Sequence, residues 1–133
     1  MSIRCMLYFE SREGTPDSMI YRHIDGYPEG VLPDLDKFFT ELEENVQDTR
    51  FNDAPYLASK YLVWQSKQNA CTYNSEFKRI DAHYLDFLSV APVIKDYGWI
   101  EYKYHIICDT NGRPRIEHEE VEIEHKEVDL DND

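Results

Sequence analysis

Tyr21-Arg22-His23-Ile24-Asp25-Gly26-Tyr27-Pro28-Glu29-Gly30 sets an aromatic ring, a guanidinium, an imidazole and a carboxylate directly ahead of a turn built from two glycines and a proline. Glycine admits positive φ, and proline fixes φ near −65° and removes a donor. A rigid turn after a strand holds polar side chains in one geometry, as a recognition site requires. His23 and Asp25 suit an imidazole–carboxylate pair, for acid–base work or as the start of a metal site. They equally suit hydrogen bonds to the turn's own backbone that hold Tyr27 in place. His83, His105, His118 and His125 do not stand at ligand-like spacing from the pair, so the sequence implies no metal and no cofactor.

Arg4, Arg12 and Arg22 fall in the first hairpin, near Tyr8, Tyr21 and Tyr27. Guanidinium groups offer planar, bidentate donors to phosphate, and tyrosine rings stack on bases. The spacing predicts Arg4 and Arg22 facing one another across two strands, with Arg12 at the connecting loop. Arg4, Arg12, Tyr21, Arg22, His23, Asp25 and Tyr27 are therefore the expected ligand-binding residues, for a small nucleotide-like molecule. The competing expectation is that the arginines pair with the surplus of carboxylates. Glu101-Tyr102-Lys103 suggests half of a Mg²⁺-dependent nuclease or phosphodiesterase site, which needs a second carboxylate such as Asp86 or Asp96. No nucleophile elbow, phosphate-cradling glycine loop or Cys–His pair is present, so no catalytic residue is assigned.

The elements that must position these groups follow from periodicity. Ile3–Phe9 predicts a strand, 10–17 a turn or mobile loop, and 18–24 a second, antiparallel strand. A helix follows with Pro33 near its first turn and Leu35, Phe38, Phe39, Leu42 and Val46 on one face. Asn52 or Asp53 caps a second helix, with Pro55 just inside it and Leu57, Ala58, Tyr61, Leu62 and Gln65 as its buried stripe. Residues 69–80 lack clear periodicity, and 81–90 suit a short helix or an ordered loop. Residues 99–108 alternate as a strand, Asn111-Gly112 signals a hairpin turn, and 115–124 returns. The expected fold is α+β: an antiparallel sheet from two β-hairpins packed with two main helices, as a single domain over 1–126.

The chain of 133 residues carries a net charge of −13 and ten tyrosines. Residues 117–133 hold nine acids against Lys126, so most of the excess sits there, and 127–133 is expected to be an acidic tail. Direct nucleic-acid binding needs clustered Lys and Arg, and no such cluster exists. An acidic face built from Asp36, Glu41, Glu43, Glu44 and Asp48, with the acids of 117–133 in support, is suited instead to blocking a basic protein surface. Cys5, Cys71 and Cys108 are widely spaced, with no apolar run of spanning length and no leader-like N-terminus. The expectation is a reduced, cytoplasmic protein without a membrane segment.

The Tyr21–Gly30 segment resembles a signature found in small, mostly uncharacterised proteins of phages, prophages and some archaea, with Ile24 where an aromatic or cysteine often stands. The likeness covers roughly the first 45 residues. It implies a viral or mobile-element setting, the host cytoplasm, and a non-enzymatic role against host defence. Two routes fit: capture of a nucleotide-derived, cyclic nucleotide-type immune signal by a homo-oligomer, or inhibition of a basic, nucleic-acid-binding defence protein.

Overall fold

The computed structural model describes residues 3–68, 71–73, 79–81 and 88–122. The expectations for Asp86, for the strand beyond Glu122 and for the acidic tail lie outside them, as do most of those for residues 69–87. In chain order the elements are β1 (Cys5–Arg12), β2 (Thr15–Arg22), α1 (Pro28–Asn45), α2 (Ala54–Gln68), β3 (Cys71–Tyr73), β4 (Arg79–Asp81), β5 (Val90–Val93), β6 (Tyr102–Ile107) and β7 (Arg115–Glu120). The fold is α+β, with a mostly antiparallel five-stranded sheet in the order β5-β2-β1-β6-β7 and a separate β3–β4 pair.

β1 is buried on both faces from Cys5 to Glu10, the pattern of a central strand covered on each side. Cys5, Leu7 and Phe9 point toward the helices and join Ile20, Tyr104 and Ile106 there. α1 meets them with Val31, Leu35, Phe38, Phe39 and Leu42 at helical spacing, and α2 with Leu57, Ala58, Tyr61 and Trp64. Pro28, not Pro33, occupies the start of α1, where a missing N–H costs least. Asp53 caps α2, its carboxylate accepting from the Tyr56 N–H at 3.4 Å.

Two features depart from the two-hairpin expectation. β1 and β6 run parallel, because β5 inserts beside β2 and residues 94–101 then carry the chain across the sheet to the far side of β1. That crossing segment covers part of the face opposite the helices, where Met6, Tyr8, Tyr21 and Ile100 form a small second core. Strand alternation over residues 99–108 would put Ile100 on the same face as Tyr104. The chain turns at Trp99 (φ +67°) and puts Ile100 on the other side. Residues 10–17, expected as a loop, are mostly strand, with only Glu13 and Gly14 (φ +85°) forming the turn.

The Asp25–Gly30 turn is a structural joint between β2 and α1. Asp25 adopts φ +55°, a left-handed conformation that Asp tolerates better than most residues. Gly26 donates its N–H to the Ile3 carbonyl at 2.9 Å and accepts from the Tyr104 hydroxyl at 2.7 Å. The Tyr27 carbonyl accepts from the N–H groups of Gly30 and Val31 and so opens α1.

Candidate functional site on the open face of the sheet

The sequence-expected ligand residues divide between two faces. β1 and β2 pair with Cys5 opposite Arg22 and Met6 opposite Tyr21. Paired residues share a face, so Arg22 lies on the helix side with Cys5, while Tyr21 lies on the open side with Met6. Arg4 and Arg22 therefore do not face one another. Arg22 is only 3% exposed. Its Nε donates to the Ile24 carbonyl at 2.8 Å, Nη1 to the Tyr61 hydroxyl at 3.0 Å, and Nη2 meets Asp34 at 2.9 Å. It is a structural cation inside the fold, out of reach of a ligand on the open face. Arg12 lies in the last β1–β2 pair, seven residues along β1 from Cys5, far from the Asp25–Gly30 turn. Asp25 is exposed in the turn, and Tyr27 is half-buried at the start of α1.

Tyr21 and His23 do meet, the Tyr21 hydroxyl and His23 Nδ1 sharing a hydrogen bond at 2.7 Å. Tyr97, from the crossing segment, stacks on Tyr21 with ring centroids 4.2 Å apart. Burial raises the Tyr21 hydroxyl's pKa, and the nearby positive charge of Arg4 works against that rise. Arg4, Tyr21, His23 and Tyr97 thus form one group at one end of the open face.

The other end carries a denser constellation that spacing did not reveal. Glu10, 2% exposed, accepts from His105 Nδ1 at 2.6 Å and from the Gly14 N–H at 2.9 Å. His105 Nε2 donates in turn to Glu119 at 3.2 Å. Tyr8 stacks on the His105 ring at 5.0 Å and gives its hydroxyl to Asp96 at 2.6 Å, and Asp96 also pairs with Lys103 at 3.3 Å. Burial and the Asp96 carboxylate raise the Tyr8 hydroxyl's pKa, so it stays protonated. Arg115 is shared among Asp109, Glu13 and Glu117 at 3.3–3.9 Å. A hollow of about 390 Å³ opens here, walled by Glu10, Glu13, His105, Glu117 and Glu119. Carboxylates outnumber cations around it, so it suits a cationic group and not a phosphate.

Burial by itself would lower the His105 pKa, but the hydrogen bonds to Glu10 and Glu119 outweigh it and hold the imidazole above its ordinary 6.5. A raised folded-state value means that protonated His105 stabilises the fold. That contribution is complete below pH 6.5 and is lost as pH rises through the folded value. Urea unfolding should show a stability loss of about 1 kcal/mol over that rise. His105→Gln should flatten the dependence, and an unchanged pH profile in that variant would assign it elsewhere.

Asp96, one of the two second carboxylates that a Glu101–Lys103 nuclease site called for, is held by Lys103 and by the Tyr8 hydroxyl. Among the described residues no group of three His, Cys, Asp or Glu side chains is arranged to hold a metal ion. Cys5 and Cys108 are buried thiols, pushed up to about 12 by desolvation, and serve as core residues. Arg113, between β6 and β7, binds the α1 residues Asp36 at 2.8 Å and Glu43 at 2.6 Å, and Glu41 accepts from the Trp64 indole at 3.1 Å. Of the rest of the expected acidic face, Asp48 pairs with Arg50 at 4.0 Å and Glu44 is exposed. A larger hollow of about 770 Å³ between α1 and α2 is lined mainly by apolar groups such as Phe38, Leu42, Val46 and Val63, away from the titratable groups of the sheet. Among the described residues, no helix is long and apolar enough to cross a membrane.

Compared with known proteins, the chain matches no family model, and no curated protein or solved structure is found similar to it.

Proposed function

We propose that this chain is a non-enzymatic binding protein that engages a basic, nucleic-acid-binding surface of a partner through the acidic end of its open sheet face. The observation that carries this reading is the carboxylate-walled hollow at Glu10, Glu13, Glu117 and Glu119, where Arg115 and His105 are the nearby cations. Carboxylates fixed on neighbouring strands present negative charge at set spacing, which steers a cationic partner and competes with phosphates for it. The viral or mobile-element setting implied by the Tyr21–Gly30 likeness makes a host defence factor the natural partner. The test is displacement of a short fluorescent DNA duplex from a lysine-rich DNA-binding domain, followed by anisotropy. Displacement should occur at low salt, weaken steeply as salt rises, and fail with a Glu117→Lys/Glu119→Lys variant. Displacement that ignores salt and both substitutions would defeat the reading.

A second reading, capture of a small nucleotide-derived signal, rests on the Arg4–Tyr21–His23–Tyr97 group, which pairs stacked rings with a cation. It loses Arg22, whose donors are committed inside the fold. A thermal-shift screen of linear and cyclic nucleotides decides it. Stabilisation by one of them that disappears in Arg4→Ala would move this reading ahead of the first.

A further inference from the structure

We infer that the partner docks on the outer edge of β7, as an extended segment with Lys or Arg at alternate positions that adds a sixth strand to the sheet. This rests on the acidic-face reading and specifies how that face is used.

The sheet has two edges, and they differ in kind. β5 is four residues long and contains Pro92, which lacks an N–H, so that edge is short and blunted. β7 is six residues long, has no proline, and pairs with β6 in unbroken register from Arg115 to Glu120. Among the described residues nothing pairs with its outer side. The direction of its backbone groups follows from two hydrogen bonds. Cys108 donates its N–H to Glu10 on β1, so the even-numbered residues of β6 face β1 and the odd-numbered ones face β7. Val121 donates to the Glu101 carbonyl, which agrees. With Lys103 opposite Glu119 and His105 opposite Glu117, the residues of β7 bonded inward are Arg115, Glu117 and Glu119. The N–H and C=O groups of Ile116, His118 and Glu120 therefore face outward, a row of three donors and three acceptors along the free edge.

The side chains select the occupant. Glu117 and Glu119 stand on the open face beside His105, and a residue added directly opposite each would place its Cβ about 5 Å away. Lys or Arg at two such positions would pair with both carboxylates and reach toward the hollow. A second copy of this chain is a poor occupant, because it would set Glu117, Glu119 and Glu120 near their own counterparts on chains of net charge −13. Backbone pairing supplies the affinity and the alternating cations supply the selectivity.

The test uses a fluorescein-labelled peptide alternating Arg and Thr, with the whole chain as binder and anisotropy as readout. Two further peptides carry N-methyl groups on every Thr amide or on every Arg amide, which leaves charge unchanged and removes donors in one phase only. Strand addition uses the amides of one phase. One methylated peptide should therefore lose at least tenfold in affinity while the other binds like the parent. Loss with methyl-Thr means antiparallel addition, and loss with methyl-Arg means parallel addition. If both methylated peptides bind like the parent, or both lose alike, the edge is not the docking site. The Glu117→Lys/Glu119→Lys variant separates this outcome from failure of the underlying reading. If that variant binds the parent peptide as tightly as the native chain does, the acidic-face reading itself falls. Parent binding lost in the variant, with both methylated peptides unaffected, keeps the face and overturns the edge. Sedimentation showing a dimer that the parent peptide does not dissociate would assign the edge to a second copy and overturn the inference.

Discussion

Arg22→Ala is expected to lose about 3–5 kcal/mol of stability, lowering the melting temperature by about 10–20 °C. The size follows from what the guanidinium holds together. It ties the end of β2 to α1 through Asp34 and to α2 through Tyr61, while its Nε closes the chain's exit from the strand at Ile24. Truncation leaves the Tyr61 hydroxyl, in a fully buried ring, without its donor, and leaves a void where the side chain lay. Tyr61 is held well away from ionisation, pushed up to about 12 by burial despite the nearby Arg22 charge, so it remains a neutral partner throughout the accessible pH range. Arg22→Met separates charge from volume. It fills most of the space and lets the half-buried Asp34 turn toward solvent, so its loss should be about 1–3 kcal/mol, smaller than that of the alanine variant. Paired thermal melts check the order. Equal stability of Arg22→Ala and the native chain would mean that the three contacts contribute nothing net, and would reopen Arg22 as a ligand residue.

That single residue illustrates where the sequence was informative and where it was not. A cation on an alternating strand beside tyrosines has the same pattern whether it faces a ligand or a buried carboxylate. Its partners, Asp34 and Tyr61, lie on two different helices, and no local pattern links them to it. The helices themselves were legible, since Leu35, Phe38, Phe39 and Leu42 repeat at a helical period and Asp53 precedes Pro55 as a cap should. β5 was not, because Ala91-Pro92 lacks a strand signature, and its place in the sheet depends on pairing with β2 some seventy residues away. The parallel β1–β6 pairing follows from that missed strand. The Glu10–His105–Glu119 group was equally hidden: Glu10 sat in an expected loop, and its partner lies 95 positions away in the chain. The one available sign was the Met6–Tyr8–Glu10 alternation opposite Cys5, Leu7 and Phe9, which marks Glu10 as part of a strand's second face.

Gly26→Ala is expected to be the other severe substitution, and it tests whether the Tyr21–Gly30 segment is there for folding or for recognition. A Cβ at residue 26 would stand 2.8 Å from the Ile3 carbonyl oxygen, 2.9 Å from the Cys5 Cβ and 3.0 Å from the Arg4 carbonyl carbon. Two of those three atoms belong to the backbone of the chain entering β1 and cannot swing aside as a side-chain tip would. Relief requires moving that segment away from the turn. That displacement weakens the Gly26 N–H bond to Ile3 and the buried Tyr104 hydroxyl bond to the Gly26 carbonyl. The cost should be about 2–4 kcal/mol from overpacking together with the weakened hydrogen bonds. Tyr104→Phe isolates the hydrogen-bond part and should lose only about 1 kcal/mol. Gly30→Ala supplies an independent check on the same joint, since its Cβ would meet the Asp25 carbonyl oxygen at 2.5 Å. If the segment acts as a joint, Gly26→Ala and Gly30→Ala lower the urea midpoint strongly, while Asp25→Ala, at an exposed position, costs far less. The reverse order, with stable glycine variants that fail to bind and an Asp25→Ala that fails with them, would return the segment to the recognition role that its residue types suggest.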